Sequence, residues 1–272
     1  MASRASCHWD KRASFGHSRR NWIISMMLAL GLFLCGCSYS ERSLLVFSAA
    51  SLTDVMRPVA TEFESKYEAK INFSFGGSTV LSQQIARGAS PDIFLSAGAE
   101  PMDRLVSEEL VEIESRRDVL KNSLVLVSLE GIGDGEDGAS WLISPTVRKI
   151  AIADPALAPA GAYAKQALQS MGMWDLVSSK LVFASDVRTA LAYVESKHVD
   201  AAVVYRTDAK VRPKIQVVFT FPVGSHTEIV YPVAIIRETK MENLSWEFLE
   251  FLRRSDVQRE LEALGFIPIS VD

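Results

Sequence analysis

Residues 44–95, LLVFSAASLTDVMRPVATEFESKYEAKINFSFGGSTVLSQQIARGASPDIFL, decide how this chain folds. Leu44, Leu45, Val46 and Phe47 form an unbroken apolar run, the pattern of a strand buried on both faces. Over 52–67 the apolar residues fall at Val55, Val59, Phe63 and Tyr67, which places them on one face of a helix. Alternation returns at 70–75, a short helix is predicted over 80–87, and Asp92 to Leu95 reads as a third strand before a helix over 100–109. Strands and helices alternating at this spacing predict a parallel sheet with helices on its faces.

Downstream, 122–129 (NSLVLVSL) is a longer apolar strand, and a Gly- and Asp-rich loop over 131–138 follows it. The rhythm then restarts, with strands predicted at 149–153, 180–184, 201–205 and 215–220 and helices at 161–171 and 187–196. The run 228–236 is interrupted by Pro232, which suggests an edge or crossover strand. Two helices, 241–253 and 255–264, close the pattern. The chain therefore reads as two α/β lobes. Lobe 1 is expected to take 38–122 plus 223–272, and lobe 2 to take 123–222.

The first 37 residues read differently. Arg19 and Arg20 precede 13 uncharged, mostly apolar residues, Trp22 to Leu34. A bilayer span needs roughly 20 such residues and a signal-peptide core roughly 7–15, so length favours a signal peptide. The run ends Leu34-Cys35-Gly36-Cys37, which resembles a bacterial lipobox with Cys37 as the lipidated first mature residue. Ser18-Arg19-Arg20-Asn21-Trp22 also resembles a twin-arginine export signal. All three cysteines, Cys7, Cys35 and Cys37, lie in this leader, so the body is stabilised by its core and not by disulfides.

The whole chain has 29 Lys and Arg against 33 Asp and Glu; five of the bases and one acid lie in residues 1–37, leaving about −8 on the remainder. No cluster of basic residues breaks that acidity, which argues against nucleic acid as a partner. His198 and His226 are 28 positions apart and fit no metal-ligand pattern, and the sequence has no G-x-S-x-G elbow, P-loop or dinucleotide fingerprint. No enzymatic activity is expected.

Five segments place small or hydroxyl residues where a strand gives way to a helix: 48–54 (SAASLTD), 75–79 (FGGST), 154–161 (DPALAPAG), 185–188 (SDVR) and 204–207 (VYRT). Ordinary helix capping, a tight turn at Gly76-Gly77 and a core tyrosine at Tyr205 explain each one singly. Together they point to an anion site, because ligands bind outside the carboxyl ends of strands in open sheets and helix N-termini present unpaired N–H groups there. Arg188 and Arg206 lie beside these segments and read as solvated or supporting charges. Asp54, Asp154 and Asp186 read as capping residues.

The same segments, with PDIFLSA (91–97), NSLVLV (122–127), ADPALAPAGAYAKQAL (153–168), DVRTALAYVE (186–195), VVYRTDA (203–209) and YPVAII (231–236), make residues 44–270 similar to the periplasmic molybdate-binding proteins of ABC transporters. The resemblance implies a two-lobed α/β fold of the type II periplasmic-binding-protein class, each lobe a mainly parallel sheet flanked by helices, with the ligand cleft between. It implies a monomer that carries molybdate or tungstate to an ABC permease. No cofactor and no direct metal ligand is implied, since the oxyanion is held through its oxygens. Residue by residue, it places Ser51 and Ser78 on the first lobe as hydroxyl and main-chain donors. Ala160 and Val187 of the second lobe become main-chain donors, and Tyr205 a phenolic donor. Gly76-Gly77 replaces part of a serine run often found in the family's second loop. A donor-only site disfavours hydrogen phosphate, whose proton needs an acceptor, but leaves sulfate as an alternative ligand.

Overall fold

The computed structural model describes residues 42–132 and 137–269. The expected leader and Cys37 lie outside the described residues. The first half of the fold runs β1 (Ser43–Ala49), α1 (Thr53–Tyr67), β2 (Lys70–Gly76), α2 (Ser78–Ala86), β3 (Ile93–Leu95), α3 (Ala99–Ser107) and β4 (Arg117–Lys121). The chain then builds β5 (Leu124–Ser128), α4 (Gly138–Ile143), β6 (Ile150–Ala153), α5 (Pro159–Ser170), α6 (Trp174–Val177), β7 (Leu181–Ala184), α7 (Val187–Glu195), β8 (Ala201–Tyr205), α8 (Arg206–Lys210) and β9 (Gln216–Thr220). It returns through β10 (Val230–Ile235), α9 (Glu242–Arg253), α10 (Ser255–Ala263) and β11 (Ile267–Pro268).

Two sheets result, on one plan. The first has strand order β11-β4-β10-β3-β1-β2, and the second β7-β6-β8-β5-β9. In the first, β1 lies parallel to both neighbours; in the second, β6 does. Each parallel trio is extended by an antiparallel strand, β10 or β5, the first strand built after the chain crosses from the other sheet. The carboxyl ends of each trio therefore open on one edge, where the strand-to-helix loops gather.

Side-chain alternation divides the first sheet's two faces. Leu44 and Val46 of β1 join the core that includes Val59 and Phe63 of α1 and Phe248 and Phe251 of α9. Phe47, between Val46 and Ser48, faces the other way and packs with Leu81, Ile85, Met102 and Leu105 of α2 and α3. The Phe63 ring meets Phe248 and Phe251 edge-on, with centroids 5.1 and 5.3 Å away. In the second sheet every residue of β5 and β8 is buried, as a strand covered on both sides requires.

Two sequence expectations need correction. Of the two readings of Pro232, edge or crossover, the crossover holds and the edge does not: β10 follows the crossing from the second sheet, but it lies inside the first sheet, between β4 and β3. Its pairing with β4 shifts register between Tyr231 and Pro232, so the missing N–H falls at a bulge. On the other side the Pro232 carbonyl accepts the Ser96 N–H at 2.9 Å. The second concerns β4, a strand that the apolar pattern does not announce, because charged Arg117, Asp118 and Lys121 surround Val119 and Leu120. The segments that cross between the sheets, after β4 and before β10, are bonded to each other: the Asn122 N–H donates to the Ile229 carbonyl at 3.1 Å.

Candidate functional site

The loops following β1, β2, β6, β7 and β8 meet in one place. Ser51, Ser78, Ala160, Val187 and Tyr205 all line a single small, tightly closed cavity, with Ala97, Gly77 and Asp186 among its other walls. The structure thus brings together all five residues named from sequence, from both sheets.

Each arrives by a local device. After β1 a short 3-10 turn, Ala50–Leu52, carries Ser51 into α1. Ser78 is the first residue of α2 and Val187 the first of α7, while Ala160 follows Pro159 at the start of α5. First-turn amides have no acceptor within their own helix, so these ends offer N–H groups and the positive end of the helix dipole. Pro159 suits its position, since its missing N–H would have been an orphan there. At α7 the Asp186 carboxylate accepts the N–H groups of Arg188 and Thr189, both at 2.9 Å.

The side chains are fixed from behind. Ser78 Oγ accepts the Ala97 N–H at 3.0 Å, which leaves its own hydrogen for another acceptor. Ser51 Oγ lies 3.2 Å from the Tyr231 hydroxyl. The Tyr205 hydroxyl donates across the cleft to the Ala97 carbonyl at 3.2 Å, so donation to an anion requires its O–H to turn. Burial, reinforced by the neighbouring Tyr231, Tyr163 and Asp208, pushes the Tyr205 phenol well above its usual value, so it remains a donor.

Gly77 is needed for closeness and not for a turn. Its φ of −63° is open to any residue. A Cβ there, however, would sit 2.5 Å from the Leu157 carbonyl oxygen and 3.2 Å from that of Ser185, both on loops of the second sheet.

Among the described residues, no Lys or Arg lines the cavity. Arg188 is the nearest candidate on sequence, and its guanidinium turns away. It reaches Asp54 Oδ2 at 2.6 Å, the Ser51 carbonyl at 3.0 Å and Asp208 Oδ1 at 2.8 Å. It is therefore a half-buried tie between α7 and the loop that carries Ser51. Asp54 accordingly is no cap, since it pairs with Arg188 and, at 3.3 Å, with Arg212. Asp154 holds its own loop by accepting the Ala156 N–H, and Asp186 caps α7 as expected. Arg206 reaches outward to Thr220. His198 bonds Ser196 and His226 bonds the Thr227 carbonyl, both on the surface.

Burial raises the Asp208 carboxyl to about 6, against the opposing pull of Arg188. A carboxyl raised on folding favours the folded state below its unfolded value and loses that contribution as pH rises through the folded value. Between pH 4 and 6 the stability difference between the protein and Asp208→Asn is expected to shift towards the variant. A two-unit shift limits the change to on the order of 3 kcal/mol, readable in urea titrations at each pH.

Ala97, Asn122 and Tyr231 carry roles that sequence reading did not assign. Each lies in a stretch with a legible pattern, but its partner lies far along the chain, as Ser51 and Tyr231 do across 180 positions.

The family model described as bacterial extracellular solute-binding protein matches residues 44–267. The chain is similar to the molybdate-binding protein ModA of Escherichia coli K12, with 36% identity over 83% of this chain and 89% of the relative. It is also similar to the molybdate-binding protein ModA of Haemophilus influenzae, with 34% identity over 88% of this chain and 96% of the relative. Among solved structures, the periplasmic molybdate-binding protein of Azotobacter vinelandii superposes with a TM-score of 0.77 at 22% identity, covering 84% of this chain and all of that one, a likeness of fold.

Proposed function

Since the chain belongs to the bacterial extracellular solute-binding proteins, a family of non-enzymatic transport components, we propose that it captures molybdate or tungstate outside the cytoplasm for uptake by an ABC transporter. One observation carries this reading: hydroxyl and helix-start N–H donors from both sheets converge on one cavity that no basic side chain lines. Such donors offset the desolvation of a dianion, and the one carboxylate in the wall, Asp186, already accepts from two N–H groups of α7 and from the Ser185 and Thr189 hydroxyls, so a fully deprotonated tetrahedral oxyanion fits best.

In this reading Ser51, Ser78, Ala160, Val187 and Tyr205 hold the anion's oxygens. The lobes are 38–122 plus 223–272 and 123–222. An anion bonded to both lobes stabilises their closed arrangement, so binding shifts a hinge equilibrium, and closure strengthens each bond by excluding water. The protein acts as a monomer and hands its cargo to a membrane permease. Cys37, after signal removal, anchors it through lipid. Cys37→Ser is expected to move the protein from the membrane fraction to the soluble fraction.

The test is calorimetry on the chain from Ser38 onward with molybdate, tungstate, sulfate and phosphate. One-to-one binding of the first two, with sulfate and phosphate silent, is the expected result. Preference for sulfate would replace the ligand and keep the site; no heat with any of them would overturn the reading. Ser78→Ala and Tyr205→Phe are each expected to weaken binding by roughly 1–3 kcal/mol, the cost of one charge-assisted hydrogen bond.

A further inference from the structure

Behind Ser51 lies a chain of hydrogen bonds whose direction is fixed by one backbone group. The Ser123 N–H can only donate, and it donates to Asn122 Oδ1 at 2.9 Å. That sets the orientation of the Asn122 amide. Its Nδ2 then faces two acceptors, the Tyr231 hydroxyl at 3.1 Å and Thr207 Oγ1 at 2.9 Å, and has one hydrogen for each. Tyr231 Oη, receiving from Asn122, has its single hydrogen to give, and Ser51 Oγ lies 3.2 Å away to take it. Ser51 Oγ, receiving from Tyr231, keeps its own hydrogen free. Tyr231 is fully buried and Ser51 and Asn122 nearly so, which shields these bonds from solvent that would scramble their direction.

We propose that Asn122 and Tyr231 are positioning residues that aim the Ser51 hydroxyl as a donor into the cavity, so that the polarity of the site is set from outside its walls. The proposal rests on the oxyanion reading of the site and adds how one of its donors is oriented. Neither residue lines the cavity. Both act through Ser51.

Reversing the relay at its source tests it. In Asn122→Asp the carboxylate still accepts from Ser123 but can only accept from Tyr231. The Tyr231 hydrogen turns to the carboxylate, and Ser51 must donate to Tyr231 instead of to the anion. Molybdate affinity and Tm are measured for the protein as exported, for Asn122→Asp, for Tyr231→Phe, and for the two combined. Tyr231→Phe alone is expected to weaken binding about fivefold, by freeing the Ser51 rotor, and Asn122→Asp about 100-fold. The combined variant is expected to bind about fivefold or more tighter than Asn122→Asp alone, because removing the phenol hydroxyl releases Ser51 from the reversed relay. A change of sign in the effect of Tyr231→Phe is not produced by a structural role or by the added charge.

If Tyr231→Phe weakens binding in both backgrounds, the relay is overturned. Should Asn122→Asp not fold, Tyr231→Phe is placed on Ser51→Ala: less than about twofold further loss supports the relay, and an additive loss overturns it. If the unaltered protein binds none of the four oxyanions, the reading of the site falls and the relay with it. If it binds while the cycles fail, the relay alone falls.

Discussion

Gly77→Ala is expected to lower molybdate affinity by about 100-fold or more while leaving the stability of each lobe intact. The added methyl has no quarrel with its own backbone, since Gly77 already has an extended conformation that alanine adopts freely. Its conflict is with the opposite lobe, where the Leu157 carbonyl oxygen lies 2.5 Å from the new Cβ. That oxygen is main chain, so no rotamer change removes the clash. Relief comes from holding the lobes apart at this point. The anion then keeps Ser51 and Ser78 but loses good geometry to Ala160, Val187 and Tyr205. Loss of any two of these three proposed charge-assisted bonds, at roughly 1.5–3 kcal/mol each, already accounts for the expected change. Calorimetry reads the affinity, and Tm is expected to stay within about 3 °C, a shift of about 1 kcal/mol or less for a body of this size. Affinity within threefold of the unaltered protein would show that binding does not need this approach of the lobes.

Arg188→Met is expected to cost on the order of 1–2 kcal/mol of stability at pH 7 through Asp208, because the buried carboxyl loses its partner and is driven to take up a proton. Methionine keeps the aliphatic stem and removes the guanidinium. Asp54 is exposed enough to be rehydrated. Asp208 is fully buried, and its remaining bond comes from the Tyr205 N–H at 3.1 Å. Arg188 is the largest influence holding the Asp208 carboxyl down, so its loss raises that group further above about 6. At pH 7 the variant must bury an unpaired charge or take up a proton. At pH 5 Asp208 is mostly protonated in either protein, so the cost shrinks. Adding Asp208→Asn is expected to recover most of the loss at pH 7. Urea unfolding at both pH values reads all three effects, and a cost independent of pH would place it elsewhere than Asp208.

Much of the fold is legible because burial leaves a periodic trace. Leu44 to Phe47, Ile150 to Ala153 and Ala201 to Tyr205 are apolar runs of strand length between helical patterns, and they become the cores of the two sheets. Where burial is local the trace fades. In β4 only Val119 and Leu120 are buried and their neighbours are charged, so the strand is invisible until β10 and β11 are seen pairing with it. Pro232 misleads because a missing N–H is usually solved at an edge, and here a bulge solves it.

The candidate site divides in the same way. Ser51, Ser78, Ala160, Val187 and Tyr205 are marked by their place at strand-to-helix junctions, a local property. Asp54 looks like a cap for the same local reason, and only the folded chain shows Arg188 arriving from 134 residues away to claim it. Tyr231, Asn122 and the Ala97 main chain matter through partners brought together by the fold, so no local pattern reveals them.

Asn122 has one further consequence. Its N–H ties the two crossing segments together, and its side chain touches Tyr231 of β10 and Thr207 of α8. A residue at the pivot of a swinging pair travels least when the pair opens, as a hinge pin stays still while the leaves sweep. The bonds that orient Ser51 therefore need not be remade at each cycle of capture and release. Under the proposed hinge and relay, the open protein would meet its ligand with that donor already preorganised, and the entropy of ordering it would be charged to folding, not to binding.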